Sequence, residues 1–175
     1  LNLALDSTGQ RSIDWTDVNF FSSDNCGFAS TLINGQSSIN YTCDSVLVSP
    51  LQVELELIDF SGNVSTCITY VNLVDNIFPN ANCRDTVFVQ LDNTPNGGVA
   101  VVQATSIDNG STDACTPLIY LINNLAADTF DCSNVNLQNP GILSVIDANN
   151  NMSTCISQIE VQDIYPPTVI CKDIN

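Results

Sequence analysis

From residue 51 the chain reads Leu-Gln-Val-Glu-Leu-Glu-Leu-Ile. Leu51, Val53, Leu55 and Leu57 fall on one face, and Gln52, Glu54 and Glu56 on the other. That alternation predicts a strand with one buried face. Cys67, Thr69, Val71 and Leu73 alternate similarly after Asp59-Phe-Ser-Gly-Asn63, a segment of turn-forming residues. The two strands therefore predict a hairpin. Gly141–Ile146 and Cys155–Val161 repeat it. Val87, Val89 and Leu91 predict a further strand, and Val99–Val102 another. No segment carries a convincing 3.6-residue period. Short strands with turn signals between them predict an all-β chain of antiparallel β-sandwich modules in tandem.

The pattern repeats. Cys26, Cys43, Cys67 and Cys83 recur as Cys115, Cys132, Cys155 and Cys171, each 88 or 89 residues later. The surroundings recur with them: Ser23-Asp24-Asn25-Cys26 as Thr112-Asp113-Ala114-Cys115, and Asn82-Cys83-Arg84-Asp85 as Ile170-Cys171-Lys172-Asp173. This period predicts one module over 1–76, with its first strand incomplete, and a second over 77–164. Residues 165–175 then form a linker and the start of the first strand of a following repeat. Leu1–Asp6 reads as the continuation of such a strand, matching Val87–Asp92. The expected partners are neighbouring copies of the same repeat, end to end, in the same chain or in the next subunit.

Eight cysteines at repeated spacings point to disulfides and an oxidising compartment. Zinc fails on spacing, with no CxxC and no histidine. Asn34-Gly35 is a strong two-residue turn signal, and it centres a hairpin in which Cys26 faces Cys43. Asn123-Asn124 does the same for Cys115 and Cys132. The bonds 26–43 and 115–132 are therefore predicted. Cys83 opens the first strand of the second module and Cys155 opens its last. Those strands start at one end of a sandwich, which favours 83–155. The rival pairing 67–83 must cross the linker from roughly 20 Å upstream. Cys67 and Cys171 are then expected to pair outside this segment.

Charge narrows the partners. Sixteen Asp and three Glu stand against Arg11, Arg84 and Lys172, for a net charge of −16. Nucleic acid is excluded as a partner, because little is available to meet phosphate. No apolar run reaches membrane-spanning length, so no membrane insertion is expected. An extracellular or cell-surface location follows from the cysteines, and the missing initiator methionine reads as a mature or excised piece.

Three stretches, Asp59-x-x-Gly62-Asn63-x-Ser65-Thr66-Cys67, Val74-Asp75-Asn76-x-x-Pro79 and Cys83-Arg84-Asp85, resemble hyalin-repeat (HYR-like) modules. Such modules occur in very large cell-surface and secreted proteins, many of them from Bacteroidota. Both halves carry the resemblance, and the second departs from it at Asn149-Asn150-Asn151, where Gly is replaced. It implies an immunoglobulin-like fold and a role in adhesion or fibre building, with no catalytic residues. Asp6-Ser7-Thr8, Asp44-Ser45-Val46 and Asp85-Thr86-Val87 resemble the O-glycosylation signal of such bacteria, marking Ser7, Ser45 and Thr86. N-glycosylation sequons stand at Asn40, Asn63, Asn109 and Asn151.

Catalysis has little to draw on. There is no histidine and one lysine, and Glu54 and Glu56 share what alternation makes the solvent face. No enzyme is expected and no cofactor is required. Calcium is the ligand best suited to the acids. Asp75 and Asp163 precede prolines at module boundaries, Asp59 and Asp147 open hairpin turns, and Asp108 and Asp113 share a loop. The competing reading is that these residues cap local backbone groups. Trp15 with Phe20-Phe21 offers an aromatic platform for a glycan or surface protein, or completes a core. The function expected is a structural repeat of an extracellular fibre, filament or adhesin stalk. The alternative is a binding module of a surface adhesin.

Overall fold

A computed structural model describes residues 1–94 and 97–172. Asp173–Asn175, the last part of the expected start of a further repeat, lie outside the described residues. The chain is all-β and divides into two compact units. The first holds Leu1–Phe78 with Asp113–Pro117 and Asp147–Asn151; the second holds Pro79–Thr112, Leu118–Ile146 and the chain from Met152.

The strands of the first unit are β1 (Asn2–Ala4), β2 (Gln10–Asp14), β3 (Phe28–Ile33), β4 (Ser38–Thr42), β5 (Leu51–Asp59) and β6 (Val64–Val74). They form a four-stranded sheet, β1-β6-β5-β3, and a two-stranded sheet, β2-β4. The second unit has β7 (Thr86–Gln90), β8 (Val99–Gln103), β9 (Ile119–Ile122), β10 (Ala127–Asp131), β11 (Asn139–Ile146) and β12 (Met152–Gln162). Its sheets, β7-β12-β11-β9 and β8-β10, repeat the order of the first. β1 runs parallel to β6 and β7 parallel to β12; the other ladders are antiparallel.

The alternation from residue 51 sets the core. Val53 and Leu55 of β5 are buried, with Val71 and Leu73 of β6 and Ile33 of β3 on the same sheet, and Ile13 of β2 closes from the other sheet. Leu143, Val145, Ile159, Val161, Ile122 and Val102 do the same in the second unit. Asp59 closes the β5–β6 hairpin by accepting from Ser61 N, Asn63 N and Asn63 Nδ2, while Gly62 takes φ 85°.

Both expected turns form, yet neither opens a hairpin ladder. Asn34 and Gly35 hold φ 46° and 74°, and Ile33 bridges Gln36 across them. Beyond that bridge the strands part: β3 pairs with β5, and β4 pairs with β2 in the other sheet. Asn123 and Asn124, at φ 50° and 69°, make the same corner between β9 and β10. Cys26 therefore does not face Cys43, nor Cys115 face Cys132. Single helical turns, absent from the sequence reading, occupy α1 (Trp15–Val18), α2 (Cys43–Leu47) and α3 (Ala104–Ile107), with a 3-10 turn at Cys132–Asn134.

Candidate functional site

Two disulfides form, and each spans 72 residues. Cys83–Cys155 joins the approach to β7 to the body of β12, with Cα atoms 5.8 Å apart. The parallel register accounts for it. Thr86 faces Gln158, so three residues back along each strand Cys83 meets Cys155. Cys43 bonds Cys115, with Cα atoms 5.3 Å apart, in place of the expected 26–43 and 115–132. The departing strands described above are the physical reason. Cys43 begins α2, and its Sγ lies 3.7 Å from the Gly9 carbonyl oxygen. Cys26, Cys67, Cys132 and Cys171 are free and exposed.

Of the six acids singled out for calcium, three converge inside the first unit. Asp75 and Asp147 are buried and Asp113 is half-buried. Asp75 Oδ2 accepts from Asn149 Nδ2 at 2.9 Å, and the Asp75 carbonyl accepts from Asn151 Nδ2 at 3.2 Å. Asp147 accepts from Asn149 N and Asn151 N, both at 2.8 Å. Asp113 Oδ2 accepts from Cys115 N. Its other oxygen, Oδ1, is buried with no hydrogen-bond partner among the described residues. Burial pushes the Asp113 carboxyl up from its ordinary value, and the Asp147 and Asp75 charges push the same way against the Cys115 amide. Ligand atoms of Asp75, Asp113 and Cys115 lie within 4.8 Å of one another, but Cys115 Sγ is spent in the disulfide. What remains is a pair of carboxylates, Asp75 and Asp113, with one orphaned oxygen between them and Asp147 nearby, oxygen ligands of the kind a hard cation takes.

The other three acids serve their own turns. Asp59 is held below its ordinary value by the Asn63 side chain and by backbone amides. Asp108 accepts from Ser111 N at 3.0 Å and Gly110 N at 3.1 Å. Burial pushes Asp108 up, but the Ser111 hydroxyl and those amides, with the Arg84 charge, bring it below its ordinary value. Asp163 accepts from Tyr165 N, as Asp75 accepts from Ile77 N.

The glycan candidates divide by what their side chains already do. Ser7, Thr86, Asn40 and Asn109 are exposed. Ser45 Oγ accepts from Thr42 N at the head of α2. Asn63 Nδ2 donates to Asp59, and Asn151 Nδ2 donates to both Asp147 and the Asp75 carbonyl. A glycan on Asn151 would therefore be attached through a nitrogen already engaged twice. Trp15 packs on the core, edge-on to Phe28 with centroids 6.4 Å apart. Phe20 and Phe21 are each 86% exposed, 4.6 Å apart, and Phe21 is held at φ 58°. Glu54 is exposed and Glu56 half-buried on β5. No described helix is long and apolar enough to cross a membrane.

No family model and no curated protein matches this sequence. Among solved structures, similarity is found to extracellular cadherin domains 1–4 of protocadherin gamma B7, at 17% identity over 93% of this chain and 49% of that one, with a TM-score of 0.34. The titin I-band fragment I67–I69 is similar at 9% identity over 93% and 62%, with a TM-score of 0.32. The human desmocollin-1 ectodomain is similar at 12% over 98% and 37%, with a TM-score of 0.30. The chain spans less than two thirds of each.

Proposed function

We propose that this chain is a structural repeat unit of an extracellular fibre, filament or adhesin stalk, HYR-like in sequence and immunoglobulin-like in fold. The observation that carries the reading is repetition at three levels. The same cysteines, the same turns and the same strand order occur twice in one chain. Arrays of this kind present length and surface, and each module needs a neighbour for its ends. Two disulfides and four further thiols on the same period fit an oxidising, extracellular setting. Sixteen excess negative charges keep such modules from aggregating. Calcium at Asp75, Asp113 and Asp147 would fix the loops that carry them. Imaging of the native assembly tests the reading. Filaments with an axial repeat set by the module are expected; dispersed single particles at native concentration would refute it.

A second reading rests on Phe20 and Phe21. Two exposed rings packed edge to face, one with its backbone held in the left-handed region, offer an apolar surface suited to a glycan or a surface protein. Its test is glycan and host-protein binding by the chain and by a Phe20→Ala/Phe21→Ala variant. Equal binding by both removes the aromatic platform.

A further inference from the structure

The two units differ at one place that their shared order makes comparable. In the second unit the segment before β7 covers the end of the sheet. Asn82 N donates to Ser111 Oγ at 2.9 Å, Arg84 N donates to the Ile107 carbonyl at 2.9 Å, and Ala81 and Cys83 pack on the core. The result is full burial of Ile107 and Val145, while Cys155 is half-buried.

The first unit has the matching wall, and among the described residues no segment lies over it. Val18, Ser22, Leu57 and Cys67 stand where Ile107, Ser111, Val145 and Cys155 stand. Here Val18 and Leu57 are half-buried, and Ser22 and Cys67 are exposed. Two adjoining cavities of about 110 and 320 Å³ open there, both lined by Ser22, Leu57 and Ser65. Cys67 borders the smaller one.

The covering segment exists elsewhere in the chain. Val169, Ile170, Cys171 and Lys172 match Ala81, Asn82, Cys83 and Arg84 in the repeat. Val169 and Ile170 are 80% and 89% exposed, and Cys171 is free. A similar symmetry holds at the other bond. Cys132 Sγ lies 3.9 Å from the Gly98 carbonyl, as Cys43 Sγ lies 3.7 Å from that of Gly9. Cys43 bonds Cys115, and Cys132 is free and exposed. Cys26 stands in the loop equivalent to that of Cys115, with Asp24 capping its amide as Asp113 caps that of Cys115.

We propose that the groove beside Cys67 receives the Val169–Lys172 segment of a second copy of this chain. Two disulfides seal the contact: Cys67 to Cys171 of the second copy, and Cys26 to Cys132 of the second copy. The proposal rests on the reading of the chain as a repeat unit and names how one unit joins the next. Each bond is made by exchange with a low-molecular-weight disulfide. The Cys67 thiolate attacks a sulfur of that oxidant and expels one small thiolate. The Cys171 thiolate then attacks the mixed disulfide at the Cys67 sulfur and expels the second. Two protein thiols lose two electrons and two protons, and the oxidant leaves as two small thiols. Cys26 and Cys132 follow the same course.

A peptide of residues 165–172, its cysteine activated as a mixed disulfide with thionitrobenzoate, tests the groove directly. Release of the coloured thiolate gives the rate, and peptide mapping gives the site. Cys67 is expected to react at least tenfold faster than Cys26 or Cys132, and tenfold faster than with a scrambled peptide. Equal rates at the three sites overturn the groove's specificity. The full chain is then incubated in glutathione redox buffer and mapped without reduction. Covalent multimers linked 67–171 and 26–132 are expected, and Cys67→Ser should remove the first link while leaving the second. A chain that stays monomeric, or multimers joined through other pairs, overturns the proposal. Cross-links of the stated kind without filaments on imaging would sink the fibre reading and leave this contact standing.

Discussion

Removing the Cys83–Cys155 bond by the double substitution Cys83→Ala/Cys155→Ala should destabilise the second unit and leave the first nearly unchanged. The bond closes 72 residues. In the chain-entropy account, closing a loop of that size removes about 15 cal/mol/K from the unfolded ensemble, or about 4 kcal/mol at 25 °C. Packing adds little, because both cysteines are half-buried at the margin of the core. For a unit of this size that loss corresponds to a fall in melting temperature of about 15–30 °C. The urea midpoint should fall by about 1.5–4 M. Hydrogen exchange resolves the two units. The slowest amides of β11 and β12 should lose about 4 kcal/mol of protection, while those of β5 lose under about 0.5 kcal/mol. The free cysteines are alkylated beforehand to prevent reshuffling. A loss below about 1 kcal/mol, or an equal loss in both units, would refute the loop-closure reasoning.

Three further outcomes follow from particular residues. Calcium should raise the melting temperature of the first unit and chelator reverse it, with Asp113→Asn abolishing the increment; an unchanged melt in calcium and chelator would remove the cation from Asp75, Asp113 and Asp147. In chelator, Asp113→Asn should itself stabilise at neutral pH. The raised folded value of Asp113 means that its ionised form opposes folding above that value, and the penalty disappears as pH falls below the unfolded value of 3.8; a variant less stable than the parent at pH 7 contradicts the sign. Gly9→Ala should cost about 1–3 kcal/mol in urea melts, because the backbone holds φ +73° and a Cβ would sit 2.8 Å from Cys43 Sγ and 3.2 Å from Ala114 Cβ; a neutral result would show that these neighbours yield freely.

Much of the fold was legible in alternation. Leu51–Leu57 located β5, its buried face and its hairpin with β6, because a period of two is a direct record of one buried face. The turns at Asn34-Gly35 and Asn123-Asn124 were legible as well, since positive φ selects these residues. What alternation does not record is the sheet a strand joins. β3 and β4 flank an ordinary hairpin turn and then part, and that carried Cys43 away from Cys26 and toward Cys115. The 83–155 bond was accessible because parallel first and last strands fix it locally. The one-turn helices escaped because a single turn has no period. α1 and the 3-10 turn leave a trace in their capping boxes, Asp14 with Asp17 and Asp131 with Asn134, whereas α3 has no side-chain cap. The meeting of Asp75, Asp113 and Asp147 joins three loops distant in sequence, and no spacing announces it.

The two disulfide loops overlap, and that sets how far the polypeptide can be drawn out. The shortest covalent route from Leu1 to Lys172 runs to Cys43, crosses to Cys115, returns along the chain to Cys83, crosses to Cys155 and goes on. It contains about 91 residue steps, a contour of roughly 300–330 Å, against roughly 560–620 Å for the unbridged chain. Severing either bond alone lengthens the route by only about 8 steps, roughly 30 Å. Only the loss of both releases the remaining slack. Interlaced loops therefore make each bond a backup for the other in limiting stretch, so a single reduction event leaves the tether nearly as short as before.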